Sequence, residues 1–334
     1  MTGFAEFTRI IGRGPTLSRP LTRDEAAAAM RHVLDDDVDP VQLGGFLLVL
    51  RQRGETAPEL AGFVDAVRAR LGERSALSTT AVPDIDWPSY ADHHRQQPWF
   101  ILSALLLAEQ GYKVLMHGID GEHDACAPTR PVLQALGITP AASLDQAGTR
   151  LISENLVYIG LENMTSEVER LFHYKPLLGV RSVANTFVRD LNPLGAASVM
   201  VGVVHAPYRP LHQETLGLLG QENAAVFKGV GGEAQRNPHK SVQAATLVDG
   251  AHGVEDWPAL LSGDPFLWRE EDLSAARVVQ LWRGEISHPA AEASIVSTAA
   301  IALRMLDRSL SRRDAIDSAR AMWRARRTAP ALAV

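Results

Sequence analysis

Asp86-Trp87-Pro88-Ser89-Tyr90-Ala91-Asp92 sets two carboxylates around two aromatics and a proline. Backbone amides close around a pyrophosphate only where glycines permit a tight turn and a close approach, and this stretch has none. It is not a phosphate cradle. Cations gather elsewhere: His93-His94-Arg95, Arg181, Arg236-Asn237-Pro238-His239-Lys240, and the arginines near the C-terminus, among them Arg320, Arg324 and Arg327. Rows of cations along a groove are what a nucleic-acid backbone requires, although each cluster alone also reads as solvated surface. His93-His94 offers two metal ligands, but no third stands at a recognisable spacing. Trp87, Tyr90 and Trp99 are base-stacking platforms or core aromatics, and the lone thiol, Cys126, reads as a small buried hydrophobe.

The elements that must position these groups fall into two regions. Residues 1–74 read as a helical unit. Thr22-Arg23-Asp24-Glu25 fits a capping box, Asp39-Pro40 starts a helix that Gly54 ends, and Thr56-Ala57-Pro58-Glu59 repeats the capping pattern. Gly44-Gly45 inside the middle helix predicts a close helix approach, within the chain or across a dimer. The stretch 75–86 reads as a connection. From there to 334 helices and strands alternate: helices over 98–110, 131–136, 165–174 and 211–219, strands over 112–117, 156–159, 199–204 and 223–227. Such alternation predicts an α/β domain with a mostly parallel sheet. Beyond Pro289 a buried helix is expected, and Ser311-Arg312-Arg313-Asp314 begins the last one.

The chain has 334 residues, 46% hydrophobic and 22% charged, with one cysteine and a formal net charge of −6. A packed core is feasible, an internal disulfide is excluded, and the whole-molecule field does not advertise a polyanion partner. Exposed charges are screened beyond roughly 8 Å at physiological salt, so a basic groove can coexist with an acidic exterior. No signal peptide or membrane span is read, and a cytoplasmic location is expected.

The order of these parts resembles glycosyltransferase family 3, whose best-known member is anthranilate phosphoribosyltransferase. Within that superfamily the chain most resembles the YbiB branch, associated with nucleic-acid binding. The likeness is carried by Ile10-Ile11-Gly12-Arg13-Gly14, Leu43-Gly44-Gly45, Pro88-Ser89-Tyr90, Met116-His117-Gly118, Gly179-Val180-Arg181 and Gly232-Glu233. It implies a small helical N-terminal domain, joined by helices from about 165–190, and a nucleoside phosphorylase/phosphoribosyltransferase-type α/β domain. Association through the helical domain is implied as well.

The frame is similar while its chemistry fades. Pro88-Ser89-Tyr90 stands where the family has its glycine-rich phosphate loop. Lys175 takes the place of the arginine that binds anthranilate, and a lysine lacks the planar fork for a carboxylate. After Met116-His117-Gly118 come Ile119 and Asp120 in place of an asparagine and an arginine, with Glu122 and Asp124 adding charges that repel a pyrophosphate. The acidic pair that holds magnesium in the family falls on Ala234 and Gln235, leaving Glu233 as a remnant.

The expectation is a non-catalytic homodimer that binds DNA or RNA without strong sequence preference, with no cofactor and no membrane. Its anion-binding residues are His93, His94, Arg95, Lys175, Arg181, Arg236, His239, Lys240, Arg320, Arg324 and Arg327. The alternative is a phosphoribosyltransferase using Mg2+ and phosphoribosyl pyrophosphate on an aromatic or nucleobase-like acceptor.

Overall fold

Thr22 and Ser311 open their helices as their spacing predicts. The Thr22 hydroxyl accepts from the Glu25 N–H at 3.2 Å while the Glu25 carboxylate accepts from the Thr22 N–H at 2.8 Å. Ser311 and Asp314 reciprocate in the same way at 3.1 and 3.3 Å. The computed structural model describes residues 3–14, 16–74, 81–91, 96–120, 129–268 and 271–326.

Four helices build the N-terminal unit: α1 (Ala5–Gly12), α2 (Arg23–Leu34), α3 (Pro40–Arg53) and α4 (Ala57–Arg74). Asp39 caps α3 by accepting from the Val41 N–H at 2.8 Å, and Gly54 stops it at φ 84°. Helices α2 and α4 cross at Gly62, where a Cβ would lie 2.1 Å from the Arg23 carbonyl oxygen. The approach expected at Gly44-Gly45 is absent within the chain. A Cβ on Gly44 would meet Leu178 at an ordinary 3.6 Å, and Gly45 faces open space.

A seven-stranded sheet forms the second unit, ordered β3-β2-β1-β4-β5-β6-β7. Strands β1 (Ile85–Ser89), β2 (Val114–Gly118), β3 (Leu156–Gly160), β4 (Ser198–Val203) and β5 (Asn223–Lys228) are parallel. Strands β6 (Val242–Val248) and β7 (Ala251–Trp257) complete it as an antiparallel hairpin on β5. Crossovers include α5 (Phe100–Glu109), α6 (Thr129–Ala135) and α7 (Leu144–Arg150). Four short turns follow β3: α8 (Leu161–Met164), α9 (Ser166–Glu169), α10 (Lys175–Leu178) and α11 (Ala184–Phe187). Then come α12 (Tyr208–Leu218), α13 (Ala275–Arg283), α14 (Pro289–Leu306) and α15 (Arg312–Ala325).

β4 is covered on both faces, as its valine-rich run predicts. Val199, Val201 and Val203 pack toward α12, while Met200 joins the core that α5, α14 and α15 build on the other side. Helix α14 is long and apolar enough to cross a membrane, yet 72% of it is buried in that core. A third cluster joins the helical unit to Val168, Leu171, Phe172, Val183, Phe187 and Tyr90, so the segment after β3 packs with α1–α4.

Besides the β6–β7 hairpin, which lies beyond the last strand expected, two elements differ from the sequence reading. Residues 85–89 are a central strand, although Asp86 and Pro88 disguise it. Pro88 is tolerated because β4 pairs only with Ile85 and Asp86, so the missing N–H falls beyond that ladder. The helix expected over 165–174 breaks into α9 and a 3-10 turn at Arg170–Tyr174.

Candidate nucleic-acid interface

The parallel register brings Ser89, Gly118 and Gly160 side by side at the carboxyl ends of β1, β2 and β3. Ligands of open α/β sheets bind at this edge. Here the edge is occupied by the protein's own side chains. Tyr90, 1% exposed, turns inward, and its hydroxyl lies 2.7 Å from His117 Nδ1; His117 Nε2 lies 3.1 Å from the buried Asp86 carboxylate. The Tyr90 ring also stacks on Phe172 at 6.3 Å, which cements the sheet edge to the helical unit.

Glu233 and Arg189 fill the next position. The Arg189 guanidinium, buried, donates to the carbonyls of Gly202 and Gly232 at 3.0 and 2.9 Å. Glu233 accepts from the Ala91 N–H at 2.7 Å, and burial pushes its carboxyl up to about 7 against the opposing charge of Arg189. Ala234 belongs to the hydrophobic core. The Gln235 amide is committed to the turn before α5, accepting from the Phe100 N–H at 3.0 Å and donating to the Gln97 carbonyl at 3.2 Å. Neither Ala234 nor Gln235 offers a carboxylate, which leaves the buried Glu233 as the acidic group here, and no group of three or more His, Cys, Asp or Glu side chains is gathered as metal ligands among the described residues.

Beside this plug lies a cationic hollow of about 90 Å³ whose lining includes Arg51, Arg181, Arg189, His205, Tyr208 and Asn185. Partial burial, then the charges of Arg189 and Arg51, lower the pKa of Arg181. Two guanidinium groups, Arg51 and Arg181, facing one recess over the buried charge of Arg189, which is itself committed to backbone carbonyls, suit an anion. A second pocket, of about 280 Å³, shares Asn185 with the first and holds Lys175, Arg130, Asp120, Glu162, Glu169 and Phe172.

The third concavity is a groove of about 1100 Å³ between the end of β7 and α15. Arg312, Arg313 and Arg320 line it with Trp257, Asp256 and Asp317. Because Val242 pairs with Trp257 and Ala244 with Phe227, the groove opens at the same sheet edge as the hollow. Exposed Lys228 and Lys240 stand along that edge.

Of the residues singled out by sequence, Arg181 and Lys175 line the recesses, while Arg320 lines the groove. Arg324 is exposed on α15 and donates to the Arg320 carbonyl at 3.3 Å. Arg236 must be withdrawn from the candidate interface. It is 1% exposed, and its guanidinium donates to the carbonyls of Pro258, Trp257 and Lys240 at 2.8, 3.2 and 3.3 Å, a structural role. His239 is half-buried and accepts from the Phe266 N–H at 3.4 Å, so it is held by the fold rather than turned outward. Trp87 and Trp99 are core residues. His93, His94, Arg95, Arg327, Glu122, Asp124 and Cys126 lie outside the described residues. Arg51, Arg189 and Arg130 were missed, since nothing in a single arginine's sequence context tells which cavity it will face.

Residues 5–71 match the glycosyl transferase family helical bundle domain. The chain is 28% identical to uncharacterized protein YbiB of Escherichia coli over 74% of this chain and 76% of that protein. It is 30% identical to an anthranilate phosphoribosyltransferase of Rhodopseudomonas palustris, over 73% of this chain and 71% of that one. Among solved structures, that of anthranilate phosphoribosyltransferase from Thermus thermophilus superposes with a TM-score of 0.76 at 21% identity, covering 97% of this chain and 94% of the other. The Saccharomyces cerevisiae enzyme in complex with PRPP and Mg superposes at 0.74 and 14% identity, covering 96% and 93%.

Proposed function

The chain belongs to glycosyltransferase family 3, the family of anthranilate phosphoribosyltransferase, and we propose that it has left phosphoribosyl transfer and binds nucleic acid as a cytoplasmic homodimer. One observation carries this reading: the Tyr90 hydroxyl on His117 fills the sheet edge where a diphosphate would sit, beside a hollow of converging arginines. Phosphoribosyl transfer depends on positioning and on stabilising the departing pyrophosphate, which cradle amides and a metal would supply. Neither fits the residues present. Ala234 and Gln235 cannot bind magnesium where they stand.

Arg51, Arg181, Lys228, Lys240, Arg312, Arg313 and Arg320 line one edge of the molecule. Contacts from such groups go to backbone phosphates, which position a strand without reading its sequence. A two-fold dimer would double the row. The apolar face around Gly44-Gly45 supports association, with Val41 83% exposed, Leu177 80% exposed and Leu48 nearby on α3.

The test is a labelled oligonucleotide titrated with purified protein across a salt series. A complex whose affinity falls steeply with salt supports the reading; absence of any salt-sensitive complex overturns it. The names of the relatives favour a second reading, phosphoribosyl transfer to an aromatic acceptor, and the yeast enzyme's complex with PRPP and Mg supplies its cofactors. Turnover above background with magnesium, phosphoribosyl pyrophosphate and anthranilate would establish it instead.

A further inference from the structure

We propose that the pocket holding Glu162 and Phe172 takes the guanine base of one unstacked nucleotide, whose phosphate lies in the adjoining arginine hollow. The inference rests on the nucleic-acid reading and deepens it by naming what the strand presents.

The two recesses are neighbours with opposite chemistry. Asn185 forms part of both walls. On one side the lining is cationic, through Arg51, Arg181 and Arg189. On the other, three carboxylates face two permanent cations. Glu162 and Asp120 both pair with Arg130, at 2.6 and 3.2 Å, and Glu169 pairs with His173 at 2.8 Å. A pocket with that balance does not attract a phosphate. It suits a neutral, planar group bearing both donors and an acceptor.

Guanine is such a group. Its Watson–Crick edge offers two adjacent N–H donors, which match the two oxygens of one carboxylate, and a carbonyl oxygen that suits Arg130 or Lys175. Glu162 and Asp120 keep 36% and 45% of their side-chain surface open despite pairing with Arg130, so both remain accessible to a ligand. Phe172, 7% exposed with its ring stacked on Tyr90, contributes a small aromatic patch to the wall against which the base packs. The volume of about 280 Å³ lies near the lower end of the roughly 300–1,000 Å³ typical of small-ligand sites. Cytosine and adenine each present a single amino donor on that edge and lose one of the two bonds. A duplex hides the edge altogether, so the pocket also selects single strands.

The experiment compares oligothymidylate strands carrying a single guanine, hypoxanthine or abasic position, by fluorescence anisotropy at one salt concentration. Hypoxanthine keeps the carbonyl and ring N–H but lacks the amino group. The guanine strand should bind about tenfold more tightly than the abasic strand and several-fold more tightly than the hypoxanthine strand. In Glu162→Gln, and separately in Asp120→Asn, the guanine-to-hypoxanthine ratio should fall toward one, with thermal unfolding confirming that each variant is folded. Equal affinity for all three strands, with a salt-dependent complex intact, overturns the base pocket and leaves the nucleic-acid reading standing. No complex with any strand overturns both.

Discussion

The Tyr90 hydroxyl and His117 Nδ1, 2.7 Å apart at the adjoining carboxyl ends of β1 and β2, turn a ligand edge into part of the protein core. His117 is also held by Asp86, so both ring nitrogens are engaged inside the molecule. Removing the hydroxyl alone leaves a buried nitrogen without its partner, which costs about 1–3 kcal/mol. Tyr90→Phe should therefore unfold at lower denaturant by roughly that amount, and Tyr90→Gly, which also empties the ring's volume, by about 3–5 kcal/mol. On the proposed reading Tyr90→Gly should not confer phosphoribosyl transfer, because neither the buried Ala234 nor the committed Gln235 amide offers a carboxylate to a metal.

Arg51 and Arg181 line the same hollow. If each meets a phosphate, Arg51→Ala and Arg181→Ala should each weaken oligonucleotide binding and reduce the slope of log affinity against log salt by about 0.7–0.9. A weakened complex with an unchanged slope would place these residues outside the phosphate contacts. Arg236→Ala should instead appear as lost stability, since its donors serve three carbonyls of the fold.

Glu233 couples the same region to pH. Its carboxyl titrates at about 7 in the folded chain, because burial outweighs the attraction of Arg189, whereas an exposed glutamate titrates near 4.5. The folded state thus keeps a proton that the unfolded state releases. The stability this contributes is fully present below about pH 4.5 and is lost as pH rises through about 7, to the extent of roughly 3 kcal/mol. Glu233→Gln stays neutral and can still accept from the Ala91 N–H, so its stability should fall less than the parent's across that window. Parallel curves for the two proteins in urea melts at successive pH values would refute the assignment.

Val41 and Leu177 are exposed on the face that Gly44-Gly45 opens. Val41→Asp or Leu177→Asp should shift the protein toward monomer in sedimentation velocity while leaving the unfolding temperature of the monomer nearly unchanged. A monomeric parent protein would remove the proposed dimer.

Much of this architecture was legible because its signals are local. The boxes at Thr22–Glu25 and Ser311–Asp314 close within three residues, and Asp39-Pro40 carries its own cap. β1 was hidden because Asp86 and Pro88 break a strand pattern that only the β4 pairing, ending at Asp86, makes permissible. The β6–β7 hairpin carries a readable local sign, the Asp249-Gly250 turn with both φ values positive at 49° and 76°. At the site, the replaced residues could be seen but not what replaced their function. Tyr90 meets His117 across 27 positions, and Arg236 looks like a surface cation until the fold encloses it.

The central claim is that the diphosphate position is filled from within, and calorimetric titration of phosphoribosyl pyrophosphate into the protein with excess magnesium tests it most directly. No saturable heat is expected from the parent protein at millimolar ligand. Stoichiometric binding that requires magnesium would contradict the account and return the chain to the transferases.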